Sequence, residues 1–183
     1  MRIKLEKVRL SFPDIYEAVQ YQGAGAFRYN ATFLIEKGSS NDKVVEAAIL
    51  AAATEEFGAK AGSVLKGLKG NSNKYCYLDG DTKEYDGYAG MNFLSSHRAQ
   101  KNGAPRIVDK DGVTVLGANN SVLYAGCYVN AIVDIYAQGA PNQGIRANLL
   151  GIQFHSEGDA FSASRLADDA FSAVEGSDAD DVI

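Results

Sequence analysis

"SVLYAGCYVNAIVDIYAQ", residues 121–138, runs through the loop "GAPNQG" into "IRANLLGIQF", residues 145–154. Its alternate positions Leu123, Ala125, Cys127, Val129, Ala131, Val133, Ile135 and Ala137 are all apolar. That is the two-residue period of a strand with one buried face. The stretch reads as the longest strand of the chain, and the two segments as a hairpin. The other face holds Val122, Tyr124, Gly126, Tyr128, Asn130, Ile132, Asp134 and Tyr136. Three tyrosines are unusual on a plain solvent face. They serve either as cross-strand pairs that stiffen the sheet or as flat platforms for a ligand.

Outward from this hairpin the pattern stays β-rich. "MRIKLEKVRLSF" (1–12) alternates, with one slip of phase near Glu6 and Lys7 as at a β-bulge, and Pro13 closes the run. "AFRYNATFLIEK" (26–37) puts Phe27, Tyr29, Phe33 and Ile35 on one face. "NDKVVEAAILAAATEEF" (41–57) is the one segment of helical period, with Val44, Val45, Ala48, Ile49 and Ala52 as its stripe, Asn41 as candidate cap and Gly58 as stop. Short strands are expected near 74–78 and 88–97, and "VDKDGVTV" (108–115) reads as a hairpin turning at Asp111 and Gly112. One helix, five to eight strands and no βαβ alternation predict a mainly β protein, a small antiparallel barrel or curled sheet with extra hairpins.

A 46% apolar content supports a real core. No apolar run is long enough to span a bilayer, and the opening decapeptide lacks a signal-peptide core, so the expected location is cytoplasmic. Cys76 and Cys127 sit in apolar runs without paired spacing, which favours buried thiols over a disulfide or a zinc site.

The net charge of -5 hides an asymmetry. From Glu157 onward there are eight acids and one base; residues 1–156 hold 17 bases and 15 acids. The expected division is a binding domain over 1–156 and an acidic tail over 157–183. Within the body, two spans lack acids. "AKAGSVLKGLKGNSNKYCY" carries Lys60, Lys66, Lys69 and Lys74 and runs into Tyr75 and Tyr77; "SSHRAQKNGAPR" carries His97, Arg98, Lys101 and Arg106. Cations interleaved with rings suit a single-stranded nucleic acid, where charge meets phosphate and each stacked base contributes ~1–3 kcal/mol. The candidate stacking residues are Tyr75, Tyr77, Tyr124 and Tyr128. The candidate phosphate contacts are Lys66, Lys69, Lys74, Arg98, Lys101 and Arg106.

Catalytic readings fare worse. His97 and His155 are the only histidines and neither has a second ligand at metal spacing. "DGDTKEYDG" (79–87) has Lys83 and Glu84 where a calcium loop wants an acid or Asn and then Gly. "GAGAF" and "GLKG" lack the strand–glycine–helix context of a phosphate loop. The chain is expected to be a binder without cofactor or metal.

"LYAGCYVNAIVDIYAQ" with "NQGIRANLLGIQFHSEGDAF", preceded in order by "KLEKVRLSFPDIYEA", "FRYNATFLIEK", "YLDGD" and "PRIVDKDG", resembles a family of phage single-stranded-DNA-binding proteins over about residues 1–160. The resemblance implies an OB-fold core and a non-enzymatic role in viral DNA replication or recombination. It also gives the tail a meaning. Acidic tails of single-strand binders end in an aromatic or apolar tip and recruit replication or recombination proteins. Here "DADDVI" supplies Asp178, Asp180 and Asp181, then Val182 and Ile183, with no terminal Phe. The tail is either a solvated end or a carboxylate mimic of DNA that covers a basic groove. Two other readings stay open: a protein- or carbohydrate-binding module on the same barrel, and a binder of duplex as well as single-stranded DNA.

Overall fold

A computed structural model describes residues 1–161. Its strands are β1 (Arg2–Tyr21), β2 (Ala24–Glu36), β3 (Tyr77–Asp79), β4 (Met91–Ala99), β5 (Arg106–Val108), β6 (Tyr128–Gln138) and β7 (Gly144–Ser156); its helices are α1 (Ser40–Phe57) and α2 (Ala61–Leu68). The sheet order is β3-β4-β2-β1-β6-β7-β5, and a parallel pairing of His97 with Asn148 joins β4 to β7. That contact closes β1, β2, β4, β7 and β6 into a five-stranded OB-type barrel, with β3 and β5 as additions.

The parity of the late hairpin is confirmed where it matters. Cys127, Val129, Ala131, Val133 and Ile135 are buried, facing Ile145, Ala147, Leu149 and Ile152 of β7. The strand is shorter than its pattern. Residues 121–127 stay outside β6 because the chain turns at Gly126, with φ 105°, and Cys127 N–H bonds back to Tyr124 O. A side chain at Gly126 would collide with Asp159 O, since the segment after β7 crosses directly over it. The longest strand is instead β1, which runs through Pro13. A register shift between Ser11 and Asp14 absorbs the missing N–H donor, with Phe12 at φ 46°. The slip near Glu6 and Lys7 is a true bulge, with Lys7 at φ 50° and a shift between Leu5 and Val8.

Helix α1 covers one mouth of the barrel with Val45, Ala48, Ile49, Ala52 and Ala53; Val44 points out. Its cap is Ser39, whose Oγ accepts from Asp42 N–H at 3.2 Å. Asn41 instead clasps Glu6, accepting its N–H at 3.0 Å and donating to its carbonyl at 2.8 Å. A second helix, α2, corrects the expectation of one. Gly62 and Gly67 make this stretch look like a loop, yet both lie on its open side, while Ala61 and Leu68 are buried and Val64 and Leu65 pack beside them. The Asp111–Gly112 turn forms, bridged by Val108 and Val115. Both cysteines are free and buried. A satellite cluster of Leu34, Tyr88 and Phe93 lies on the outer face, sealed by Phe161. The packed body therefore continues to Phe161, five residues past Ser156.

Candidate nucleic-acid interface

OB-type barrels take oligonucleotides on the face of their second and third strands, between the first and fourth loops. Here those strands are β2 and β4. Their outward residues pair as Thr32 with Ser95, Asn30 with His97 and Arg28 with Ala99. The β1–β2 ends extend past the barrel as an arm bearing Tyr21 and Phe27, which are 71% and 46% exposed. From the other side comes Arg146 at the start of β7. Its guanidinium is positioned by Gln138 Oε1 at 3.0 Å and Asn73 O at 3.2 Å.

Between these elements lies a groove of about 460 Å³ lined by Tyr21, Arg28, Asn73, Lys83, Ser95, His97 and Arg146, and by no carboxylate among the described residues. Burial, then the positive fields of Arg28 and Arg146, hold the His97 imidazole below its usual value. Both arginines therefore act on the same spot. The groove offers charge for phosphates along its floor and an exposed ring on its arm.

The sequence candidates distribute differently. Tyr75 and Tyr77 are each 4% exposed, and Tyr75 lines the inner edge of the groove. They fill the seam where residues 74–77 bridge β4 and β7: Cys76 N–H donates to Ile145 O at 3.0 Å and Ser95 N–H to Cys76 O at 2.9 Å. Tyr77 Oη donates to Asp42 Oδ1 at 2.6 Å. Burial pushes the Tyr75 phenol up to about 12, and burial with the Asp42 bond raises that of Tyr77. Tyr124 is occupied by the backbone of Gly158, donating to its carbonyl at 2.9 Å and accepting its N–H at 3.1 Å. Tyr128 is half-buried against Gly158, with Lys7 and Arg9 each 5.7 Å from its ring centre.

Among the cations, Arg98 is spent on its own turn, donating to Gly103 O at 2.8 Å and Asn102 O at 2.6 Å. Lys101 is exposed on that turn. Lys66 and Lys69 line a separate hollow beside α1 that also contains Glu46. Lys74 is exposed close to the groove, next to Asn73. Arg106 lies on another side of the barrel, in a hollow with Arg2 and Lys4. The structure thus does not bring the six together. It gathers Arg28, Lys83 and Arg146, which the acid-free spans did not single out, around His97, which the second span contains. The available signal was parity: Arg28 and Asn30 oppose the buried face of β2, and Arg146 opposes that of β7. The tail residues Asp178, Asp180, Asp181, Val182 and Ile183 lie outside the described residues.

Barrel and groove define a class: an OB-fold protein with a cationic channel on the face of its second and third strands. The chain belongs to the family described as Enterobacter phage Enc34, ssDNA-binding protein, whose model matches residues 1–183. This is a family of non-enzymatic binders. Protein p50 of Acyrthosiphon pisum secondary endosymbiont phage 1 is 41% identical over 170 residues, covering 91% of this chain and 90% of that protein. Among solved structures, the single-stranded DNA-binding protein of bacteriophage Enc34 in complex with ssDNA superposes with a TM-score of 0.70 at 20% identity, over 88% of this chain and 89% of that one. The single-stranded DNA-binding protein gp2.5 of bacteriophage T7 superposes with a TM-score of 0.57 at 10% identity, over 95% and 99% of the two chains. At these identities the structural likeness speaks for the fold.

Proposed function

We propose that the protein binds and protects single-stranded DNA, largely without regard to sequence, during phage DNA replication or recombination in the host bacterial cytoplasm. The observation that carries this reading is the groove on the β2–β4 face, without a carboxylate among the described residues, with Arg28, His97 and Arg146 on its floor and Tyr21 on its arm. Membership of a single-strand-binding family and the DNA-bound relative of the same fold support it. The direct test is fluorescence anisotropy with a labelled thymidine homopolymer against a duplex of equal length, over a series of salt concentrations. Preferred binding of the single strand with a steep salt dependence is expected. Equal binding of both forms would make the protein a general DNA binder, and no binding of either would end the proposal.

The acidic tail modulates this binding and recruits replication or recombination proteins. Truncation after Val174 removes Glu175, Asp178, Asp180 and Asp181. The shortened protein should bind oligonucleotide more tightly at low salt, and the gain should fade as salt screens the charges. An affinity unchanged at every salt would reduce the tail to a solubilising role.

A further inference from the structure

Arg106, set apart from the groove by the folding of the barrel, is not isolated. A hollow of about 560 Å³ lies between β1, β5, β6 and β7, and the exposed Arg2, Lys4 and Arg106 border it. No carboxylate lines it among the described residues. Lys4 reaches Glu6 at 3.4 Å, an exposed pair of the kind that contributes little. The side chains of Arg2 and Arg106 make no hydrogen bond or ion pair among the described residues. Ile132, 40% exposed, and the half-buried Leu150 give the hollow an aliphatic floor. Asn130 Nδ2 donates to Gln153 Oε1 at 3.0 Å and fixes its edge. No aromatic ring lines it among the described residues, so it offers charge without a stacking platform.

The hollow and the first groove share a strand. Arg146, Asn148 and Leu150 follow one another on the outward face of β7. β4 meets β7 at His97 and Asn148, and β5 meets it at Arg106 and Gly151. Asn148 and Gly151 are three residues apart, about 10 Å along a strand. Residues 97–106 join the two crossings and contain Arg98, Lys101 and Arg106 but no acid. Arg98 braces the turn through the Asn102 and Gly103 carbonyls, and Lys101 stays exposed on it. The carboxylates beside this route are engaged. Asp134, opposite Asn148 on β6, accepts from the Met1 amino group at 2.9 Å, and Asp111 accepts from Val113 and Thr114 N–H. A phosphate chain leaving the first groove at His97 therefore meets Lys101 and then Arg106, Lys4 and Arg2. An acidic peptide would match the hollow alone, but continuity with the groove favours the strand that the groove holds. We infer that the Arg2–Lys4–Arg106 hollow is a second phosphate-binding segment of the oligonucleotide path, reached over the turn at Lys101 and engaged only by strands long enough to cross it. The inference rests on the single-strand reading and extends its site to the far side of the barrel.

The test uses the full-length protein and labelled thymidine oligonucleotides of about 4 and about 16 nucleotides, the two ends of the range that one OB fold covers. Arg2→Ala and Arg106→Ala change exposed side chains and should leave the fold intact. With the long strand, each should flatten the dependence of log affinity on log salt by about 0.7, and the loss of affinity should shrink as salt rises. With the short strand, both variants should bind as the parent does, whereas Arg28→Ala should flatten the slope at both lengths. A parental slope on the long strand in either variant, as a hollow suited to an acidic peptide would give, would overturn the inference. A loss of equal size at both lengths would overturn it too, by placing these cations on the first groove. Parental slopes in Arg2→Ala and Arg106→Ala beside a flattened one in Arg28→Ala would remove this hollow and leave the single-strand reading standing. Parental slopes in all three, or no binding of either strand, would count against that reading as well.

Discussion

Residues 60–77 and the arm formed by the ends of β1 and β2 are built from the same materials, tyrosines beside cations. The fold uses them in opposite ways. Tyr75 and Tyr77 lie where the barrel must close between β4 and β7, so their rings turn inward and meet α1. Tyr21 and Phe27 lie past the rim, where none of the described elements covers them. A ring becomes a binding platform when the architecture has nothing to bury it with. Composition alone does not tell the two cases apart.

The largest effect that tests this contrast is on stability. Tyr77→Ala empties a large buried site and should cost about 3–5 kcal/mol, as for other big aromatic residues, read by chemical denaturation. Tyr77→Phe keeps the ring and should cost about 1 kcal/mol for the lost Asp42 bond. That carboxylate keeps its bonds from Gly38 N–H and Asn92 Nδ2. The folded fraction of either variant should bind oligonucleotide as the parent does. A variant that is fully stable but fails to bind DNA would return Tyr77 to the interface.

Next comes charge. Arg28→Ala and Arg146→Ala should each flatten the dependence of log affinity on log salt by about 0.7 for a single strand. Lys66→Ala and Lys69→Ala should leave the slope unchanged, because their hollow is shared with Glu46 and lies beside α1. The reverse result would move the DNA path to the helices. Smaller again is Tyr21→Ala, expected to weaken binding by ~1–3 kcal/mol with the salt slope intact. A change of slope without loss of affinity would mean that the arm carries no stacked base.

Much of this architecture was legible in the sequence. The late hairpin, the bulge at Lys7 and helix α1 each rest on local periodicity, which survives tertiary packing. Pro13 misled because a bulge in an otherwise paired strand accommodates it, and α2 was hidden because two glycines on its exposed side cost it helix propensity without touching its packing. The groove was less legible for a different reason. Arg28, Lys83 and Arg146 are far apart in sequence, and only barrel closure through His97 and Asn148 gathers them. Acid-free runs find local charge, whereas this site is assembled from single cations on separate elements.

His97 gives the smallest effect and the finest probe of the groove. Arg28 faces it from β2 and Arg146 from β7, Lys83 lines the same groove, and no carboxylate among the described residues does. In the free protein its pKa is held below the usual 6.5, so the ring is neutral at pH 7. Because the folded value lies below the unfolded one, the stability it contributes is present above about 6.5 and is lost as pH falls through that range toward the folded pKa. A bound phosphate reverses the field and raises the pKa. The resulting gain in affinity is complete below the pKa of the free protein and vanishes as pH rises through that of the complex. Each unit of the rise corresponds to about a tenfold gain. Acidification should therefore loosen the free fold while tightening the complex, two opposite signs from one imidazole. His97→Gln should abolish both, with the exposed His155, the only other histidine, still present as an internal control. Oligonucleotide titrations that keep the same pH profile in His97→Gln would show that no phosphate reaches the floor between Arg28 and Arg146.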